Sequence, residues 1–322
     1  MDIQFLGTSS GVPTRQRNVT ALALQPENSK QWYLVDCGEA TQHQLLRTPF
    51  SMQNLKAIFI THVHGDHSYG LPGLLASAAM AARKHPLILI GPHALDGWIK
   101  LTREMSQLYL PYELQFLAVE DLAAWQDERV QVGITLLSHR VPSYAYTFTD
   151  RQHEAALDTE KLAQEGVPKG ELWGRLKKGE NVAFAGRTLH APDYLHYPHP
   201  PRRIVIGGDN DQPQLLRQAC AGAQVLVHEA TYTEDVAAKV GPGVQHSTAA
   251  TVAAFAQDAA LPNLLLTHFS PRYQHHSAES PSIEDIRREA AAQYHGQLWL
   301  AQDFARYRLS KNGQFALLAA TA

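Results

Sequence analysis

Residues 62–67 read His62-Val63-His64-Gly65-Asp66-His67 and follow, after Thr61, on an apolar run over 55–60. Three imidazoles and a carboxylate within six residues are ligand types that suit a first-row dication such as Zn²⁺. A solvated polar loop would account for one such histidine, but poorly for the cluster. In an extended or turning segment, His62 and His64 can face one point while Asp66 and His67 face another. That spacing predicts two metal ions side by side, and a centre of that kind needs more ligands than one hexapeptide supplies.

The rest of the chain offers them in suitable places. Stretches 3–6, 19–24, 32–35, 55–60, 87–90, 131–137, 204–206, 225–227 and 264–266 are short apolar runs that read as strands. Stretch 71–84, rich in Leu, Ala and Met, reads as a helix ending before His85-Pro86. Stretches 213–222, 247–259 and 282–295 also read as helical, with Ser247 as N-cap of the second. Several strands run at once into polar residues: Asp36, Thr61-His62, Ser138-His139, Gly208-Asp209, His228-Glu229 and Thr267-His268. Rigid strand ends are a common place for an α/β fold to assemble a site.

Composition bounds the function classes. With 44% hydrophobic and 18% charged residues, the 322-residue chain can bury a sizeable core. A formal charge of −3 gives no whole-protein attraction to nucleic acid, so polyanion binding requires a local basic patch. Cys37 and Cys220 lie far apart and without CxxC spacing, which fits a reducing compartment. The first residues lack a signal-peptide pattern and no apolar run reaches membrane-span length, so a cytoplasmic protein is expected.

Residues 151–200 differ from the rest: they show no sustained apolar strand pattern. Within 168–178 lie Lys169, Arg175, Lys177 and Lys178 against the single acid Glu171, with Trp173 between them. This region reads as an insertion projecting from the core, with short helices at best. His190, His196 and His199 sit in a Pro-rich setting and read as non-ligands. The tail over 315–322 is too short to interpret.

The hexapeptide followed by His139, Asp209 and His268 resembles the HxHxDH…H…D…H signature of the metallo-β-lactamase superfamily. Three further stretches resemble its ribonuclease Z branch: Phe5-Leu6-Gly7-Thr8-Ser9-Ser10-Gly11-Val12-Pro13 with Arg15, Arg17 and Asn18; Asp36-Cys37-Gly38-Glu39-Ala40-Thr41-Gln42; and His228-Glu229-Ala230-Thr231 with His246-Ser247-Thr248. The resemblance implies an α/β fold, the αβ/βα four-layer sandwich, as a single domain over 1–322 with a flexible arm at 151–200. It implies two Zn²⁺ ions, with Mn²⁺ or Co²⁺ as substitutes. His62, His64 and His139 would hold one ion, Asp66, His67 and His268 the other, and Asp209 would bridge them. Asp66 would also orient the nucleophile, His246 would protonate the leaving group, and Glu229 would tune His246. Asp36 reads as a hydrogen-bonding support for the metal-bound histidines.

The implied activity is endonucleolytic removal of the 3′ trailer from precursor tRNA, leaving a 3′-hydroxyl on the tRNA and a 5′-phosphate on the trailer. The implied partners are precursor tRNA, gripped by the basic arm, and a second copy of the chain; no membrane and no nucleotide cofactor are expected. Two departures stand out: Ala40 replaces a glycine, and Asn210 follows Asp209 where threonine is common. Competing readings are a hydrolase of another ester, such as a sulfate ester or small phosphodiester, and a non-catalytic RNA-binding protein on the same fold.

Overall fold

The computed structural model describes residues 1–152, 155–274 and 280–318. Two mixed β-sheets carry the fold. The first has eight strands in the order Phe315–Leu317, Arg306–Leu309, Asp2–Gly7, Ala21–Gln25, Trp32–Val35, Leu55–Phe59, Leu87–Gly91 and Leu114–Ala118. The second has seven: Gln297–Leu300, Asn263–Thr267, Val225–Glu229, Arg203–Ile206, Ser143–Asp150, Val130–Leu137 and Ala124–Gln126. Each sheet is antiparallel at one side and parallel at the other.

The parallel strands are apolar on both faces because both faces are covered. Phe59 and Val227 point into the layer between the sheets, where they meet Phe5, Tyr146, Phe148 and Leu265. Their neighbours Ile58 and Leu226 point outward. Ile58 packs with Leu71, Leu75 and Ile99 of the helices Leu71–Met80 and Ala94–Met105. Leu226 packs with Val252, Phe255 and Ile286 of the helices Ala249–Asp258 and Ile283–Gln293. Helix, sheet, sheet and helix stack as the αβ/βα sandwich expected from the sequence.

All nine expected strands form, within one or two residues of their expected ends. The helices need correction. The helix expected over 71–84 stops at Met80, where the Ala82 N–H reaches the Ala79 carbonyl and the Arg83 N–H the Ala78 carbonyl. That is a Schellman ending with Ala82 in the left-handed position usually taken by glycine, so the sequence carries no stop signal there. Stretch 213–222 divides into a 3₁₀ turn, Pro213–Leu216, and a short helix, Arg217–Cys220. The N-cap of the helix Ala249–Asp258 is Thr248, boxed with Thr251, rather than Ser247. Ser247 instead donates its hydroxyl to the Asn210 carbonyl at 2.6 Å.

The tail, too short to interpret in the sequence, has a defined place in the fold over its first residues. Phe315 is buried and stacks on Tyr307, 5.4 Å between ring centres and 10° between planes. Residues 319–322 lie outside the described residues.

The region 151–200 holds more than short helices. Besides the helices Thr159–Gln164 and Glu171–Lys177, Ala156–Leu157 pairs with Leu195–His196 and Val182–Phe184 pairs with Arg187–Leu189. Leu162, Val167, Leu176, Val182, Leu189, Ala191 and Tyr194 form a small apolar cluster of their own. At its root, Arg202 Nε donates to Asp150 Oδ2 at 2.9 Å and the Asp150 N–H to the Arg202 carbonyl at 2.9 Å, clasping the two connecting strands together. Residues 153 and 154 of this region lie outside the described residues. Among the described residues, no helix is long and apolar enough to cross a membrane.

Candidate active site

The strand ends of the two sheets converge on one cluster. His62 follows Leu55–Phe59, His139 follows Val130–Leu137, Asp209 follows Arg203–Ile206, and His268 follows Asn263–Thr267. Asp66 and His67 sit on the one-turn helix Gly65–Ser68, which opens directly after His64. That turn is locked to the Asp36–Gly38 loop by backbone bonds: Cys37 N–H to His67 O at 2.8 Å and Gly70 N–H to Cys37 O at 2.9 Å. Gly38 permits the contact, since a Cβ there would lie 2.3 Å from the Asp66 carbonyl oxygen. Asp36 and His268 both adopt positive φ, 60° and 59°, an uncommon backbone state for such residues that turns their side chains into the cluster.

The seven expected ligands come together as two groups. His64 Nδ1 lies 3.1 Å from both His62 Nε2 and His139 Nε2. His268 Nε2 lies 3.2 Å from His67 Nε2 and 3.3 Å from Asp66 Oδ2. Asp209 stands between them with one oxygen toward each. Its Oδ2 is 3.6 Å from His62 and 3.8 Å from His139, and its Oδ1 is 3.4 Å from both His67 and His268. Ligands about 2.0–2.1 Å from a tetrahedral zinc are separated from one another by roughly 3.3 Å. The donor atoms of each group are spaced to that measure, and both groups could hold an ion. The donor set, nitrogens and carboxylate oxygens with no thiolate, also suits a dication of this kind.

Electrostatics point the same way. Asp36, Asp209 and Glu229 are buried and Asp66 nearly so, and the groups opposite these carboxylates in the cluster are imidazoles. Burial pushes the Asp209 carboxyl upward, but His268, His67 and His62 outweigh it and hold it well below the usual carboxylate range. Such a concentration of buried negative charge demands positive charge nearby, from imidazolium or from metal ions.

The other nitrogens of these histidines are occupied. His67 Nδ1 is 2.7 Å from Asp36 Oδ2, and His139 Nδ1 donates to the Gln245 carbonyl at 2.9 Å. Asp36 also accepts the Thr61 N–H at 2.8 Å, the supporting place expected for it. The Gly11 N–H donates to Asp66 Oδ2 at 2.7 Å, so the N-terminal loop orients that carboxylate.

His246 stands at the edge of the cluster, its Nδ1 3.0 Å from Glu229 Oε1 and 3.7 Å from Asp209 Oδ2. Burial lowers the affinity of His246 for a proton, but the Glu229 and Asp209 carboxylates outweigh burial and bring it up to about 9. Glu229 is itself held by N–H groups of Asn210 and Ser247 and by the Thr231 hydroxyl. A cleft of about 400 Å³ opens over His246, Asp209, Asp66 and His64, with Arg140 and Tyr69 on its walls.

Three contributors escaped the sequence reading. Thr61 and Thr231 bridge histidines to carboxylates. Asn210, whose surroundings the sequence left open, is fully buried: its Nδ2 meets His228 Nε2 at 3.1 Å and its Oδ1 accepts from the Ser138 and Gln212 N–H groups. It thereby ties the loops of His139, Asp209 and Glu229 together. The four arm cations are exposed, and one of them, Arg175, pairs with Glu180 at 2.9 Å.

Comparison with known proteins gives the family. A family profile described as the anti-Pycsar protein Apyc1 matches residues 1–120, which include the hexapeptide. Ribonuclease Z of Pseudomonas putida strain GB-1 is 55% identical over 313 residues, covering 97% of this chain and 98% of the relative. Among solved structures, the short form of human tRNase Z superposes with a TM-score of 0.65 at 25% identity, covering 95% of this chain and 98% of the other. The Bacillus subtilis metallo-β-lactamase fold protein YhfI superposes with a TM-score of 0.63 at 17% identity over 95% of this chain and 98% of the other, a likeness of fold. Identity above one half over nearly the whole of both chains decides the matter: this protein belongs to the ribonuclease Z family, on the metallo-β-lactamase fold.

Proposed function

We propose that the chain is a metal-dependent endoribonuclease that cuts precursor tRNA just beyond the acceptor stem. It removes the 3′ trailer, leaving a 3′-hydroxyl on the tRNA and a 5′-phosphate on the trailer. The observation that carries this reading is the contact of His246 with Glu229, 3.0 Å apart, at the rim of two adjoining donor groups in a ribonuclease Z relative. A site for hydrolysis alone needs the donor groups. A ribose leaving oxygen also needs a proton, and a carboxylate-braced imidazole is suited to give it.

His62, His64 and His139 would hold one Zn²⁺ and Asp66, His67 and His268 the second, with Asp209 shared through its two oxygens. When bound, such a pair lowers the pKa of water and stabilises charge on an in-line displacement at phosphorus. The side chains do the rest. Asp66, oriented by the Gly11 N–H, directs the attacking water. Asp36 fixes the ring of His67. His246 Nδ1 stays on Glu229, leaving Nε2 to deliver a proton to the departing 3′ oxygen.

The arm over 151–200, inserted into a single domain over 1–322, would grip the body of the tRNA through Lys169, Arg175, Lys177 and Lys178, reading shape and phosphates more than sequence. A homodimer, a cytoplasmic setting and independence from any nucleotide cofactor complete the reading. Incubation with a 3′-extended precursor tRNA, followed by mapping of both product ends, tests it. A single cut beyond the acceptor stem with the stated termini is expected; intact precursor beside rapid hydrolysis of a small phosphodiester or sulfate ester would overturn the RNA assignment.

A further inference from the structure

Two buried threonines occupy matching places in the site. Thr61 Oγ1 lies 2.9 Å from Asp36 Oδ2 and 3.0 Å from His62 Nδ1. Thr231 Oγ1 lies against Glu229 Oε2 and 3.0 Å from His268 Nδ1. Both side chains are fully buried. Each threonine also gives its backbone N–H to the same carboxylate, at 2.8 Å for Thr61 and 3.3 Å for Thr231. With a stiff β-branched χ1, two such bonds leave the hydroxyl little choice of direction.

A hydroxyl has one proton to give, and an ionised carboxylate can only accept. Each threonine therefore donates to its carboxylate and must receive from its imidazole. In their neutral, metal-binding form His62 and His268 then carry the proton on Nδ1, and each Nε2 keeps a free lone pair. Those Nε2 atoms face the donor groups: His62 Nε2 is 3.1 Å from His64 Nδ1, and His268 Nε2 is 3.3 Å from Asp66 Oδ2. The opposite tautomer would set an N–H where a metal must sit.

The two units share a further design. Each carboxylate holds a second imidazole directly, Asp36 that of His67 at 2.7 Å and Glu229 that of His246 at 3.0 Å. The Asp36 unit therefore joins one ligand from each donor group. The Glu229 unit joins a ligand, His268, to the proton donor, His246.

We infer that Thr61 and Thr231 are positioning residues whose hydroxyls set the metal-ready tautomers of His62 and His268, and that Thr231 also couples metal binding to the placement of His246. This rests on the metal and donor roles proposed above, and goes beyond them in naming what enforces both.

The test compares Thr61→Val, Thr231→Val, Thr61→Ser and Thr231→Ser with the wild type. Each full-length chain is stripped of metal, checked for an intact fold by circular dichroism, and titrated with zinc alone against a chromogenic chelator. Either valine variant should bind zinc roughly 10–100-fold more weakly, the usual cost of losing a hydrogen-bond partner behind a ligand. Serine, which restores the hydroxyl, should bring affinity back close to wild type. At saturating zinc, Thr61→Val should recover precursor tRNA cleavage, whereas Thr231→Val should stay slower by about 10–100-fold because His246 remains misplaced. Valine variants that bind zinc like wild type, or serine variants as weak as valine, overturn the tautomer role. Full recovery of Thr231→Val at saturating zinc overturns the coupling. Failure of the underlying reading looks different: the wild type itself would take up no zinc.

Discussion

The strand-end cluster and the arm are opposites. In the cluster, His62, His67, Asp209 and His268 are buried, each donor atom has defined neighbours, and the side chains come from several strands far apart in sequence. In the arm, Lys169, Arg175, Lys177 and Lys178 are exposed, and all lie within one local stretch. Over 151–200 the chain carries seven basic and seven acidic residues, so the region has no net charge and the four cations are a local cluster in sequence. The proposed function divides the work along that contrast: the cluster would supply chemistry common to phosphodiesters, and the arm would select which phosphodiester arrives.

The largest effect expected from that division is at the cluster. Asp209→Ala should lower turnover of both precursor tRNA and a small chromogenic phosphodiester by at least about 10³-fold, because both donor groups lose their shared carboxylate. Exhaustive chelation should do the same, with activity returning on addition of zinc.

His246→Ala should separate the substrates. Cleavage of RNA should fall by about 10²–10⁴-fold, the usual worth of a positioned acid. A phosphodiester whose leaving group departs without a proton should be hydrolysed at nearly the wild-type rate. If both fall alike, His246 serves the cluster rather than the leaving group.

Replacing Lys169, Arg175, Lys177 and Lys178 together by alanine should spare the small substrate and weaken precursor tRNA chiefly through KM. The slope of log affinity against log salt should flatten by about 0.7–0.9 for each phosphate that is no longer neutralised. Equal weakening on both substrates would end the division of labour.

A pH profile sharpens the donor assignment. The proposed acid, His246, would work only while protonated, so RNA cleavage should fall as pH rises through its raised pKa of about 9. Glu229→Gln removes the principal partner that raises it, and the descending limb should therefore move to lower pH. A limb that stays in place would assign the titration to another group.

The smallest effect concerns stability. Ala40 has φ 61° at the start of the helix Thr41–Leu45. A left-handed residue with a Cβ costs about 1–2 kcal/mol, while glycine adds about 0.4–1 kcal/mol of chain entropy to the unfolded state. Ala40→Gly should then raise the urea midpoint by the equivalent of about 1 kcal/mol or slightly less.

Legibility followed the same contrast. The cluster could be read because imidazole and carboxylate after an apolar run are rare enough to be diagnostic, and His139, Asp209 and His268 each ended an identifiable strand. Thr61 and Thr231 could not, since threonine is ordinary at strand ends and only the fold brings each hydroxyl between a carboxylate and a ring. The four-layer architecture was legible only through the resemblance to the metallo-β-lactamase superfamily, since the short apolar runs by themselves marked strands and not how the sheets stack. The end of the helix at Met80 was not, because Ala82 takes the place that glycine would have marked. Nor was the arm's small core: Leu162, Val167, Leu176, Val182 and Leu189 follow neither a helical nor a strand period, because they come from helices and strands too short to establish one.

The central claim is that Asp209 stands between two ions held by two separate histidine groups. Anomalous diffraction at the zinc edge from crystals of the zinc-loaded protein tests it directly. The account predicts two peaks per chain, one among His62, His64 and His139 and one among Asp66, His67 and His268, with an Asp209 oxygen on each. A single peak, or a second ion held without Asp209, would contradict it.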